Sequence, residues 1–424
     1  MLTGTARALR DICEQVSSGG TPSRKNRGFF ASEGGHLWVK SQELNDGFIW
    51  ETGEHISDAG LAASSAKYYP PHTVLVAMYG ATVGKLAILR AAATVNQAIC
   101  ALRVDPMVAD YLYVFYALLE TRGALTAQAT GAAQQNLNQD LIRNFEIPLP
   151  PLETQRRIAG VLSVYDDLIE NNTRRLQILE EMTQAIYREW FVEFRFPGHG
   201  DVPLVNSELG PEPAGWTVAR MYEVCDVIDC LHSKKPLERE EGSGTLLQLS
   251  NIAERGVLDL STRYLVSPDD YRLWTSRIEV GEGDCVITNV GRVGAVAQVP
   301  VGVNAALGRN MTAVRPRPGL MTPTYLLEYL LSPHMAAEKA RKGDIGTIMD
   351  ALNVKGIIRL NVPVPPEGLL RKFESVTRPM RRLVEVLVIE AGNLRRTRDF
   401  LLRRLVSGQV DVSGLDIDPS GLVA

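Results

Sequence analysis

Long apolar runs are missing from this chain of 424 residues. No segment approaches the roughly 18 uninterrupted apolar residues of a membrane-spanning helix, so no membrane span is expected. A basic-then-apolar leader is missing too, which predicts a cytoplasmic protein. Cysteine is sparse: Cys13, Cys100, Cys225, Cys230 and Cys285 are odd in number and scattered, which excludes a disulfide framework and suits a reducing compartment. An excess of one charge is also lacking, since 45 basic residues face 49 acidic ones for a formal net charge of −4. Any nucleic-acid surface must therefore be a local patch on a nearly neutral body. Lysine is scarce at ten residues against 35 arginines, and arginine is the cation suited to forked contacts with guanine edges and phosphates. With 45% apolar residues the chain is long enough for two to four domains, each with its own core, and is not dominantly disordered.

Catalytic signatures are absent as well. Gly80-Ala-Thr-Val-Gly84-Lys85 resembles a phosphate loop, but it has three residues between its glycines and Leu86 where a magnesium-binding hydroxyl should stand. It reads instead as a strand–turn–strand. Tyr69-Pro-Pro-His72 holds the Pro-Pro of an amino-methyltransferase motif without a leading Asn or Asp, and no Gly-x-Gly-x-x-Gly occurs. No lysine has an acidic residue two positions before it, so the Glu-x-Lys element of the common restriction-nuclease core is missing. Cys225, Cys230 and His232 have the wrong spacing for a zinc knuckle and no fourth ligand near in sequence. His36, His55, His72, His199, His232 and His334 form no metal pair, and no Gly-x-Ser-x-Gly elbow appears. The expectation is a non-catalytic binder with no metal and no cofactor of its own.

What the chain does contain is itself, twice. Leu37-Trp-Val-Lys-Ser-Gln-Glu-Leu-Asn-Asp-Gly47 matches Leu246-Leu-Gln-Leu-Ser-Asn-Ile-Ala-Glu-Arg-Gly256 at an offset of 209. Residues 73–84 match 284–294 around the turns at Gly80 and Gly291, and Tyr111-Leu112 matches Tyr325-Leu326 at the start of a helix. Gly131…Asn138…Ile147-Pro-Leu-Pro-Pro151 matches Gly346…Asn353…Val362-Pro-Val-Pro-Pro366 at an offset of 215. Each half thus holds an irregular globular part, residues 1–150 and 216–360, with short β-branched or aromatic runs between Gly, Pro, Asn and Asp. Each Pro-rich run leads into a long helical pattern, within residues 151–195 and 361–410. Residues 196–215 are rich in Pro and Gly and read as a linker, and residues 411–424 as a loose tail.

Both helical patterns show heptad spacing. The first seam is Ile158, Leu162, Tyr165, Ile169, Leu176 and Leu179, with Asn172 as a polar interruption. The second is Phe373, Val376, Met380, Leu383, Leu387, Leu394 and Leu401, with Glu390 and Thr397 interposed. Residues 153–195 carry a net charge of −2 and residues 367–409 of +5, which favours laying one helix against the other. A helix of roughly 38 residues is about 57 Å long.

The junction Asn144-Phe-Glu-Ile-Pro-Leu-Pro-Pro-Leu-Glu-Thr-Gln-Arg-Arg-Ile-Ala159, continued by Asp167-Leu-Ile-Glu-Asn-Asn-Thr-Arg-Arg-Leu176, resembles the central conserved region of type I restriction-modification specificity (S) subunits. Ser18-Gly-Gly-Thr-Pro-Ser-Arg24 resembles the opening loop of their target-recognition domains, and Leu394-Arg-Arg-Thr-Arg-Asp-Phe-Leu-Leu-Arg-Arg-Leu-Val-Ser-Gly-Gln-Val410 resembles the end of their second conserved helix. The second half departs from the pattern, with Asp229-Cys-Leu-His-Ser-Lys-Lys-Pro236 in place of the Gly-Gly-Thr-Pro loop and Leu369-Leu-Arg-Lys372 in place of a Glu-Gln-Arg-like run. The resemblance implies an α+β fold: two homologous irregular α/β target-recognition domains separated by two long helices that pair as an antiparallel coiled coil, with pseudo-two-fold symmetry. It further implies a DNA-binding subunit that recognises a bipartite asymmetric site on double-stranded DNA. Such a subunit positions methyltransferase (M) subunits, expected to be two, and restriction (R) subunits. S-adenosylmethionine would be bound by M, and ATP and Mg by R. The alternatives are a stand-alone nuclease or methyltransferase with the same recognition module, and a coiled-coil scaffold without a nucleic-acid role.

In that reading, affinity comes from phosphates and discrimination from base edges. Loops where basic and amide side chains cluster supply the candidates. In the first half these are Arg24, Lys25, Asn26, Arg27, Lys40, Gln42, Tyr79, Thr82 and Lys85. In the second they are Lys234, Lys235, Gln248, Asn251, Asn289, Arg292, Arg309 and Asn310, with Gln134, Gln135 and Thr347 as weaker candidates. Arg292→Ala is expected to weaken specific binding by about 1–3 kcal/mol if Arg292 reads a base. Successive major-groove faces recur about every 34–36 Å, within the span of a ~57 Å helix. Helix faces outside the seam, with Tyr187, Trp190 and Phe191, are the candidate M-docking surface.

Overall fold

The computed structural model describes residues 5–31, 34–129, 136–335 and 354–415. They fall into two units, Met1–Glu170 with Asn393–Ala424, and Asn171–Gly392. Among the described residues no helix is long and apolar enough to cross a membrane.

In the first unit a five-stranded sheet has the order Cys13–Ser18, Ile99–Val104, Val74–Ala77, Leu86–Leu89, Gly47–Ile49. The last strand joins parallel to its neighbour and the others pair antiparallel, with Cys100 opposite Val76 and Leu75 opposite Ala87. Strand side chains alternate between faces, so both faces here are apolar. Val74, Val76, Leu86, Ile88, Cys100 and Leu102 enter a core shared with the helix Tyr111–Ala127, while Leu75, Ala77, Ala87, Leu89 and Ala101 enter a second core. That second core contains Val39, Tyr69 and Val95 from a smaller sheet whose strand His36–Val39 runs parallel to Ala93–Val95. The Asp110 side chain caps the helix by accepting from the Tyr113 backbone N–H at 3.0 Å.

The second unit repeats this order. Its main sheet runs Cys225–Asp229, Met311–Pro316, Cys285–Thr288, Val296–Gln298, and its smaller sheet again holds one parallel pair, Gly244–Leu246 with Ala305–Ala306. The helix Pro323–Leu331 takes the place of Tyr111–Ala127. In each unit a two-stranded ribbon closes the domain, Thr5–Ala8 with Glu146–Leu149 and Thr217–Arg220 with Asn361–Val364. In each, a buried tyrosine on the helix donates to a proline carbonyl of that ribbon: Tyr113 to Pro148 at 2.8 Å, Tyr325 to Pro363 at 2.6 Å. Tyr325 thus corresponds to Tyr113, two residues after the Tyr111 that local sequence matching selects. Likewise the turn opening at Lys40 is matched by the one opening at Gln248, each bonded through its backbone N–H to the residue three further on, Glu43 or Asn251. That is an offset of 208, one less than the 209 read from the strings.

The Pro-rich lead-ins end in two long helices, Leu152–Tyr187 and Glu367–Val406. Within the first unit Asp166 pairs with Arg398, and Ile158, Ala159 and Leu162 share a core with Leu402, Leu405 and Val406. Within the second unit Asn172 meets Glu390, Thr183 meets Met380 and Tyr187 meets Phe373. Partner numbers fall as helix numbers rise, so the helices run antiparallel. Ile158, Leu162, Ile169, Phe373 and Leu387 are buried, and Tyr165, Leu176, Leu179, Met380, Leu394 and Leu401 are half-buried. Val376 and Leu383, expected in the seam, are 42% and 37% exposed, and Glu390 and Thr397 are exposed as well. The buried positions are Thr377, Val384, Ala391 and Leu402, with Arg381 also buried and Arg398 nearly so. A 4–3 spacing from Phe373 fits the heptad as well as the 3–4 spacing, and the burial follows the former.

Residues 196–215 are not an open linker: the hairpin Leu204–Ser207/Gly210–Pro213 forms there, and Phe196 joins a core with Tyr187, Phe191 and Trp216. Tyr187 and Phe191 are therefore core residues, unavailable for docking, and Trp190 packs partly buried against the same core. At the chain end Val412 is fully buried and the Ser413 carbonyl accepts from Arg157 at 2.9 Å, so residues 411–415 are tied down. Gly131, Gln134, Gln135, Gly346, Thr347 and Asn353 lie outside the described residues.

Candidate nucleic-acid interface

In the first unit, the Gly-Gly-Thr-Pro loop lies on the strand Ala93–Val95. The Gly20 N–H donates to the Val95 carbonyl at 3.0 Å, and a Cβ on Gly19 would sit 1.8 Å from that oxygen. The glycines are there for close approach. Trp38 Nε1 then donates to the Gly20 carbonyl at 3.1 Å, and the Arg24 guanidinium rests 4.4 Å from the Phe30 ring centroid and 5.1 Å from that of Trp38. Arg24 and Lys40 both reach Glu54, at 2.7 and 2.8 Å. Hydrogen bonds from Arg24 and then Lys40 hold the Glu54 carboxyl below the usual carboxylate range. Thr21 bonds to Gln97 across the same surface. Structure thus groups Thr21, Arg24, Lys40, Glu54 and Gln97. Glu54 and Gln97 carried no sequence signal, being single polar residues far from the motif.

The Gly80–Gly84 stretch is a hairpin turn, both glycines having left-handed φ of 75° and 78°, between antiparallel strands. Tyr79 is exposed at its tip, and the Thr82 hydroxyl bonds back to the Tyr79 carbonyl. Lys85 is tied down: it and Arg122 both pair with Asp46, at 2.9 and 2.5 Å. Burial raises the Asp46 carboxyl, but Lys85, the Leu86 N–H and Arg122 together bring it below its ordinary value. Asn26 spends its side chain on the Gly28 N–H, while Lys25, Arg27 and Gln42 are exposed.

In the second unit Lys235, Gln248, Arg309 and Asn310 converge on a cleft of about 320 Å³, floored by residues 246–250. Lys235 Nζ lies 3.9 Å from the Tyr264 ring centroid, and Lys234 is exposed beside it. Asn289 is a spacer, its backbone N–H donating to the Asn310 carbonyl at 2.8 Å and its Oδ1 accepting from Thr312. Arg292 is exposed, yet its guanidinium donates to the Ile252 carbonyl. Asn251 is 4% exposed, and its amide bonds to the Gln248 N–H and the Asp259 and Thr262 carbonyls. It builds the turn and offers nothing to a ligand.

Asp229, Cys230 and His232 bring one ligand atom each within 4.8 Å of one another. His232 Nε2 lies 2.8 Å from Asp229 Oδ2, and burial raises the Cys230 thiol, so the group is a hydrogen-bonded Asp–His pair beside a protonated thiol. Cys225 belongs to a different core and does not join them.

The family model of the type I restriction modification DNA specificity domain matches residues 5–181. The MjaIX specificity subunit of a type I restriction enzyme from Methanocaldococcus jannaschii is 27% identical over 420 residues, 96% of this chain and 93% of that protein. The EcoBI specificity subunit from Escherichia coli is 23% identical over 330 residues, 74% and 66% of the two chains. The crystal structure of a type I restriction-modification S subunit from M. genitalium shares the fold at a TM-score of 0.62, with 17% identity across 95% of this chain and 96% of that one.

Proposed function

Because the chain is similar along nearly its whole length to type I restriction enzyme specificity subunits, we propose that it belongs to their family and is the non-catalytic sequence reader of such a system. Each unit takes one half of a bipartite, asymmetric site on double-stranded DNA. The observation that carries this reading is one fold present twice, with different side chains at equivalent edges: Arg24, Lys40 and Gln97 in the first unit, Lys235, Gln248 and Arg309 in the second. A duplicated enzyme would repeat its reacting groups; a duplicated reader repeats its scaffold and varies what touches the bases. Asn26, Lys85, Asn251, Asn289 and Arg292 spend their side chains on partners within the fold; the other described candidates of both units act in base or phosphate contact.

The long helices present apolar side chains away from their seam. Val164 and Leu168 are exposed in the first unit, and Val376, Leu383, Val386 and Ile389 in the second. These are the surfaces we assign to two M subunits, which bind S-adenosylmethionine and methylate adenine. An R subunit, with ATP and Mg, cleaves unmethylated DNA. The test is genome-wide mapping of methylated adenine in cells holding the M subunit, with and without this chain. A bipartite motif that appears only with the chain is expected; methylation that ignores the chain refutes the proposal.

A further inference from the structure

We propose that the second unit reads a G·C pair, with Arg309 donating to the guanine and Gln248 accepting from its cytosine. This rests on the reading of the units as half-site readers and adds the base that one of them recognises. Arg309 is exposed on the rim of the cleft and, among the described residues, has no acidic partner. Its backbone is fixed on both sides. A Cβ on Gly308 would lie 1.8 Å from the Leu247 carbonyl oxygen, so this chain segment packs directly on the neighbouring strand. Asn310 holds a left-handed φ of 62° while its carbonyl accepts from Asn289 at 2.8 Å. The guanidinium is thus carried on a rigid base, which lowers the ordering cost of a forked contact.

Gln248 supplies the complementary atom. Its Nε2 donates to the Leu246 and Leu247 carbonyls at 2.9 and 3.0 Å, which spends both amide hydrogens and leaves Oε1 as an acceptor. A glutamine so restrained cannot make the two-pronged contact with adenine, which needs donor and acceptor together. A donor fork beside a lone acceptor matches the major-groove edge of G·C: two acceptors on guanine, then the cytosine amino group. The equivalent positions of the first unit present a different pattern, Gln97 in the place of Arg309 and Lys40, paired with Glu54, in the place of Gln248.

The experiment is adenine-methylation mapping with the full chain and its M partner, comparing wild type, Arg309→Ala and Arg309→Lys. The wild type should show a bipartite motif with an invariant G·C pair in one half. Arg309→Ala should relax that pair alone, discrimination there falling about 5- to 150-fold, with the other half-site intact. Arg309→Lys keeps the charge but not the fork and should relax the same pair. Binding of random duplex should stay within about two-fold for Arg309→Lys, because phosphate attraction is retained. An unchanged motif, a relaxed A·T pair, or a uniform loss over all sites would overturn the assignment while leaving the half-site reading in place. A wild type with no bipartite motif would overturn that reading itself.

Discussion

Arg398→Ala should be among the most damaging single changes in the helix pairing of the first unit. Arg398 Nη1 lies 2.6 Å from Asp166 Oδ1, with side chains only 13% and 9% exposed. The Tyr116 hydroxyl donates to the other Asp166 oxygen at 2.6 Å. Burial alone would lower the Arg398 pKa, but the Asp166 charge and hydrogen bond outweigh it and raise it. Removing Arg398 leaves a carboxylate in a nearly dry seam with one hydroxyl donor, a loss of about 3–5 kcal/mol. An exposed pair would cost about 0–1 kcal/mol, so the two cases are well separated. Replacing both partners, as Asp166→Leu with Arg398→Met, removes the stranded charge and leaves mainly the unpaired Tyr116 hydroxyl, about 1–3 kcal/mol. Native-state hydrogen exchange of amides flanking Asp166 on the first long helix is the assay, since it reads local opening in a chain too large for one unfolding transition. Protection should fall by about two to three and a half orders of magnitude in Arg398→Ala and recover in large part in the double variant. A fall of less than tenfold in the single variant would mean that water already reaches the pair, and the reasoning fails.

Glu328 is 4% exposed, and burial pushes its carboxyl up to about 7, with Arg381 opposing and Glu180 adding to the rise. The folded form then binds a proton more tightly than the unfolded one, so this group's contribution is most favourable below about pH 4.5 and is lost as pH rises through 7; Glu328→Gln should stabilise the second unit by up to about 3 kcal/mol at pH 8 and by little at pH 5 in urea titrations. Asn251→Ala should cost about 3 kcal/mol by breaking three hydrogen bonds in a buried turn, and a normally stable variant with a relaxed methylation motif would restore Asn251 as a base reader. Gly19→Ala places a methyl 1.8 Å from the Val95 oxygen and should abolish slow exchange of the Gly20 N–H, whereas unchanged protection would refute the close-packing account.

The two-fold writing of the chain, the strand–turn–strand at Gly80 and the two long helices were legible because each leaves a periodic or glycine-marked trace. The register between the copies was not. Tyr111 and Tyr325 match as letters, yet it is Tyr113 whose hydroxyl meets the proline carbonyl, because helix entry is set by the caps at Asp110 and Thr322. Similarly, Val376 and Leu383 looked like seam residues because they are apolar, whereas the buried row takes in Thr377 and Arg381. Arg381 is held there by a hydrogen bond to the Gly256 carbonyl, a partner far away in sequence. At the candidate interface, loop composition located Lys235, Gln248, Arg309 and Asn310 one by one. Only the fold shows that these four share a cleft, and that Lys85 and Asn251 are committed to internal partners.

What the two units keep and what they change follows from where an interaction is sheltered. The tyrosine-to-proline bond and the backbone-bonded turns at Lys40 and Gln248 hold the chain trace itself, and breaking either leaves buried groups unpaired. At the open edges no such constraint acts: Gln97 stands in one copy where Arg309 stands in the other, and among the described residues the acid that restrains Arg24 has no counterpart against Arg309. A side chain there can be exchanged at little cost to folding while altering what the edge donates or accepts. Two copies of one scaffold can in this way diverge in what their edges contact without losing the elements that lead into the paired helices.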